Sequence, residues 1–166
     1  MGNLKRPKLM ARDKDVIDEN SKVVYHRLSS TLGFQKRLED AGTGEVIWQH
    51  GSKCPSPYKR EFINPRAVTR VVLIQKWGFH RTWYRFTYSG NDYMWKNSSF
   101  MSVELKCYQE GSDTVVAEYT DKIGKVNTLN IYPLPGWAND FKELLILTAI
   151  DVCETIIDGR SASGGS

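Results

Sequence analysis

The C-terminal stretch "NDFKELLILTAIDVCETIIDG" limits the fold more than any other part of the chain. At residues 144–147 it reads Leu-Leu-Ile-Leu, apolar at four successive positions. With about 3.6 residues per helical turn, four consecutive side chains point around the whole circumference. A helix resting on one surface shows an apolar stripe, and one that is apolar all round has to be surrounded by protein. The pattern predicts a helix over residues 140–158, with Asn139 or Asp140 as the cap and Gly159 as the stop. The rest of the chain must supply the enclosure.

That remainder reads as β-structure. Short runs bounded by turns recur: "KVVYHRLS", "FQKRLED" and "EVIWQH" around "AGTG", "AVTRVVLIQKW", "TWYRFTY" turning through "SGND" into "YMWK", "SVELKCYQ", "TVVAEYT" and "GKVNTLNIY". About eight to ten strands at such spacing argue for a barrel or sandwich. The stretch "GSKCPSPYKREFINP", residues 51–65, reads as a loop punctuated by Pro55, Pro57 and Pro65. Residues 1–20 read as a flexible polar and basic arm, and 159–166 as a disordered tail. A closed barrel around the helix is the simplest enclosure. A helix closing one end of a sandwich, or lying at a dimer interface, is the alternative.

The order "FTYSGNDYMWK", "LKC", "VVAEY", "GKVNTLNIY" and "ELLILTAIDVCETII" resembles the tubby C-terminal-like superfamily. That group includes the tubby domains, the phospholipid scramblases and the LURP-one-related proteins, and the likeness is greatest to its small fungal members. The resemblance covers residues 22–158 and implies one domain over 21–158. The implied fold is a mainly β (α+β) closed antiparallel β-barrel of about twelve strands enclosing the hydrophobic C-terminal helix. It also implies phosphoinositide or other lipid handling. The acidic calcium-binding segment of scramblases has no counterpart here, because Asp151, Glu154 and Asp158 lie on the helix itself. No family ligand residue carries over.

The 166 residues, 40% hydrophobic and 25% charged, suit one folded domain. The polar, basic N-terminus has no signal-like apolar run, and "MGNLKR" has Arg6 where a myristoylation signal wants Ser or Thr. Cys54, Cys107 and Cys153 have no metal-type spacing and read as reduced thiols, the last two on apolar faces. The expected location is therefore cytoplasmic, or peripheral at a membrane. Residues 1–90 carry 17 Lys/Arg against 8 Asp/Glu, a balance of +9, whereas residues 91–166 carry 6 against 11, a balance of −5. Such asymmetry fits an anionic partner, although sequence halves need not be spatial halves.

The leading candidate site is "KWGFHRTWYRF", which interleaves Lys76, His80, Arg81 and Arg85 with Trp77 and Trp83. Cations beside aromatics suit a phosphorylated lipid headgroup. The same pattern also describes a plain hairpin with aromatics inward and cations outward. A second basic set surrounds the proline loop: Lys53, Lys59, Arg60, Arg66 and Arg70. His50 and Cys54 lie near each other without any group to orient the imidazole, and no catalytic, metal or cofactor motif emerges. The expected activity is non-enzymatic binding of anionic phospholipid headgroups or membrane surfaces. A protein-interaction or stress/defence-associated scaffold, with a protein partner, and an enzyme using a barrel-end pocket remain alternatives. Nucleic acid is not the expected partner, and the sequence leaves the oligomeric state open.

Overall fold

A computed structural model describes residues 10–30, 35–51, 58–78, 81–99, 102–121 and 127–163. Among them are eleven strands and one helix. The strands are β1 (Met10–Ile17), β2 (Val23–Ser30), β3 (Lys36–Asp40), β4 (Val46–His50), β5 (Lys59–Asn64), β6 (Thr69–Gly78), β7 (Arg81–Tyr88), β8 (Asn91–Asn97), β9 (Val103–Gln109), β10 (Val115–Asp121) and β11 (Thr128–Ile131). The helix, α1, spans Asn139–Ser163. The strands follow one another antiparallel in the linear order β1 to β11, and α1 packs on the sheet. The mainly β class with one C-terminal helix is thus as expected. A closed ring of ladders is not part of that order.

The chain forms two compact units, residues 1–55 with 61–70, and residues 56–60 with 71–166. In the first unit, β1 and β2 form a hairpin in which Asp15 faces His26, joined by a 2.7 Å bond. The stretch read as an arm therefore contains a strand. Its polar composition hid it, because an outermost strand does not need apolar alternation to be held by its ladder. The hairpin turn is closed by Asp18, whose Oδ1 accepts the N–H groups of Asn20 and Lys22.

The proline loop is also corrected, because β5 occupies residues 59–64 of it. Arg60, Phe62 and Asn64 are the more covered residues along β5, so two of its three inward side chains are polar. Each has a partner. Asn64 Oδ1 accepts the N–H groups of Arg66 and Ala67. Arg60 reaches α1, as described below.

In the second unit, β7 and β8 join through Ser89 and Gly90, both at positive φ (47° and 77°). That is the two-residue turn whose twist suits a hairpin. Inward residues alternate cleanly: Tyr84 and Phe86 on β7, Tyr93 and Trp95 on β8, Val103, Leu105 and Cys107 on β9. They meet α1, on which Leu144 to Cys153 are buried at ten successive positions. Phe141 opens the helix inside an aromatic cluster, with Trp137, Tyr88 and Tyr93 centred 4.4, 4.6 and 4.8 Å away.

The enclosed helix is therefore as the apolar pattern required, with two polar residues built in. Thr148 Oγ1 accepts a hydrogen bond from Trp95 Nε1 at 3.0 Å and donates back to a carbonyl of its own helix. Asp151, fully buried, pairs with Arg60 Nε at 2.8 Å. The helix runs on through Gly159 to Ser163, beyond the expected end. One glycine costs a helix only about 1 kcal/mol relative to alanine, and Arg160, Ser161 and Ala162 all tolerate the helical conformation.

Candidate functional site

Residues directly opposed in an antiparallel ladder share a face. On β6 to β10 the residues between the inward ones therefore form an outer surface whose neighbours the register identifies. Lys76 lies opposite Trp83, Trp83 opposite Lys96, Lys96 opposite Lys106, and Lys106 opposite Glu118. These five positions make one row across five strands, each step about 4.8 Å. Lys59, outward and exposed at the start of β5, belongs to the same unit. Lys76 and Lys96 are exposed, and neither has a carboxylate partner among the described residues. Lys96 Nζ instead lies over the Tyr108 ring, 5.2 Å from its centroid. Lys106 Nζ reaches Glu118 at 3.3 Å. The Tyr132 hydroxyl also donates to Glu118 at 2.8 Å and, as the first cause, holds that carboxyl below its ordinary range.

Two rows further along the same strands the sign reverses. Arg85 is held by Asp92 at 2.7 Å and by Glu110 at 2.9 Å. The hydrogen bond from Thr87, followed by the one from Arg85, keeps the Asp92 carboxyl below its usual range. The outer face is thus polarised along its strands, basic at the 76/83/96/106 level and acidic at the 92/110 level. Arg85, one of the expected headgroup ligands, has its charge balanced by these two carboxylates.

The sequence candidates separate as follows. Lys76 and Trp83 sit side by side in the basic row. Trp77 has the opposite parity, at the rim end of β6, where it is 67% exposed and packs edge-to-face on Tyr58. Arg81 lies on β7 opposite Gly78. His80, Lys53 and Cys54 lie outside the described residues. In the second basic set, Arg60, Arg66 and Arg70 are each paired with a carboxylate. Arg60 turns inward onto Asp151 and Thr155, with the Tyr84 ring 5.9 Å from its guanidinium carbon. Arg66 pairs with Glu45 at 3.1 Å and Arg70 with Glu61 at 3.4 Å, both within the first unit. His50 stacks edge-on against Phe62, 4.9 Å between centroids.

Lys96 and Lys106 are the site residues that sequence reading missed. Their outward parity was visible in "YMWK" and "SVELKCYQ", but only the strand register puts them beside Lys76. No family model, curated protein or solved structure matches this chain.

Proposed function

We propose that this protein is a non-enzymatic module that binds anionic phospholipid headgroups at a membrane surface through the outer-face row Lys76, Trp83, Lys96 and Lys106. The observation that carries this reading is the row itself: three lysines and a tryptophan aligned on adjacent strands, with Glu118 at its end on β10. Lysine ammonium groups are flexible point charges that suit a fluid array of phosphates better than one rigid ligand. The tubby C-terminal-like resemblance supports the same reading. It also supports closure of the sheet into a barrel around α1, which the ten successive buried helix positions favour. A cytoplasmic protein that visits membranes peripherally follows from this reading. No helix among the described residues is long and apolar enough to cross a membrane.

Sedimentation with phosphatidylserine-containing vesicles tests it. Each lysine near an anionic surface contributes about 1 kcal/mol, so changing Lys76, Lys96 and Lys106 together to Gln is expected to weaken binding roughly 100-fold. Arg85→Gln, which removes a charge already paired twice, should change it less than about twofold. Equal losses in the two variants would locate binding elsewhere.

A further inference from the structure

Tyr58 and Trp77 are the large aromatic side chains that the second unit leaves most exposed among its described residues, at 51% and 67%. They touch each other, edge to face, with centroids 5.8 Å apart. The Gln75 N–H donates to the Tyr58 carbonyl at 2.8 Å, which ties the two segments together beneath the rings. The other described tryptophans are covered wholly, as Trp48 and Trp95 are, or in part, as Trp83 and Trp137 are. Trp77 is thus the exception among the described tryptophans, and its ring is not part of the core.

The placement of the pair is as informative as its exposure. Trp77 is one residue further toward the strand end than Lys76, and Tyr58 directly precedes Lys59. Each exposed ring therefore has an exposed lysine as its chain neighbour. The lysine row crosses the strands one step below this rim. Indole and phenol are apolar bodies with one polar tip, and they settle at the headgroup level of a bilayer. Ammonium groups flanking them fall at phosphate depth. A soluble polyanion would satisfy the lysines and leave the rings in water.

We propose that Trp77 and Tyr58 form an insertion element that seats the rim of β6 in the interface of an anionic bilayer; this rests on the membrane reading above and specifies how the molecule is oriented and how deep it sits. Binding then has two separable parts. The lysine row supplies a salt-sensitive attraction, and the ring pair supplies a salt-insensitive one.

The test uses the full chain with phosphatidylserine vesicles carrying brominated acyl chains, with tryptophan emission as the readout. On binding, wild-type emission is expected to shift to the blue and to be quenched by the bromines, and Trp77→Phe should remove most of that quenching while sedimentation persists. Trp77→Ala should weaken vesicle binding about tenfold, from the apolar area it no longer buries, and that loss should be the same at low and high salt. Both variants alter an exposed ring, so unchanged buried-tryptophan emission without vesicles reports an intact fold. Sedimentation without bromine quenching, or with full affinity in Trp77→Ala, would overturn the insertion element and leave the lysine-row reading standing. Absence of sedimentation at low salt would overturn both. Quenching of Trp77 by a single-stranded oligonucleotide but not by brominated lipid would overturn it in favour of base stacking.

Discussion

At the scale of single residues, the first unit holds a β-branched side chain in a conformation that such residues rarely adopt. Val68 has φ +52° and is 86% exposed. A β-branched residue in the left-handed region is a real outlier, typically costing about 1–3 kcal/mol. It follows a turn that Asn64 holds through the backbone of Arg66 and Ala67, so the neighbouring conformation is fixed by other bonds. Asparagine tolerates positive φ, and so little of Val68 is covered that almost no packing would be lost. Val68→Asn is therefore expected to raise the apparent Tm by about 2–4 °C, as roughly 1 kcal/mol does for a chain of this size. A thermal melt followed by circular dichroism checks this, and an unchanged or lower Tm would mean that the strain is absorbed elsewhere.

At the scale of elements, α1 shows what an all-round buried helix needs. Its apolar residues fill the interior, but two polar side chains fix its position: Thr148 against Trp95 on β8 and Asp151 against Arg60 on β5. Burying an ion pair contributes little net stability, yet removing one partner leaves an uncompensated charge and costs roughly 3–5 kcal/mol. Arg60→Met should therefore destabilise the protein by about that amount in a denaturant titration. Adding Asp151→Leu to Arg60→Met should recover most of the loss, because the pair is then replaced by apolar groups of similar size. A double variant as weak as the single one would show that the two residues are not coupled. The same ion pair explains why the β5 sequence does not look like a strand. Alternation is recognised by apolar inward residues, and here Arg60 and Asn64 occupy two of the three inward positions with their needs met by partners distant in sequence or by the turn.

At the scale of the whole molecule, charge is where sequence order and spatial order part most clearly. By sequence halves the chain is +9 and −5. By compact units, residues 1–55 with 61–70 hold 12 Lys/Arg and 8 Asp/Glu, and residues 56–60 with 71–166 hold 11 of each. The unit carrying the lysine row is thus neutral overall, and any attraction to an anionic surface comes from its local polarity. Such attraction is short-ranged and is screened at distances beyond about 8 Å at 0.15 M salt. Raising NaCl from 50 to 500 mM is expected to weaken vesicle binding at least about tenfold, with the residue left at high salt supplied by Trp77 and Tyr58. A vesicle-sedimentation series over that range reads it directly. Binding indifferent to salt would rule out the lysine row as the source of affinity.

The amino-acid sequence by itself determined that the chain ends in an enclosed helix and is otherwise β-rich. Both follow from local periodicity: four successive apolar residues leave a helix no solvent face, and alternation with turn residues leaves strands few other choices. It also marked Lys76, Trp77 and Trp83 as worth following. The tertiary structure decided which of the charges are available. Arg85 and Arg60 looked like Lys76 in sequence, yet one meets Asp92 and Glu110 and the other meets Asp151. Lys96 and Lys106 became neighbours of Trp83 only through ladder register. The physical reason is that a charge is neutralised, and a row is assembled, by groups brought together across strands. Pairing of that kind depends on register: the Ser89–Gly90 turn fixes it for Trp83 and Lys96, but the row spans five strands and is assembled only when all their registers are set together.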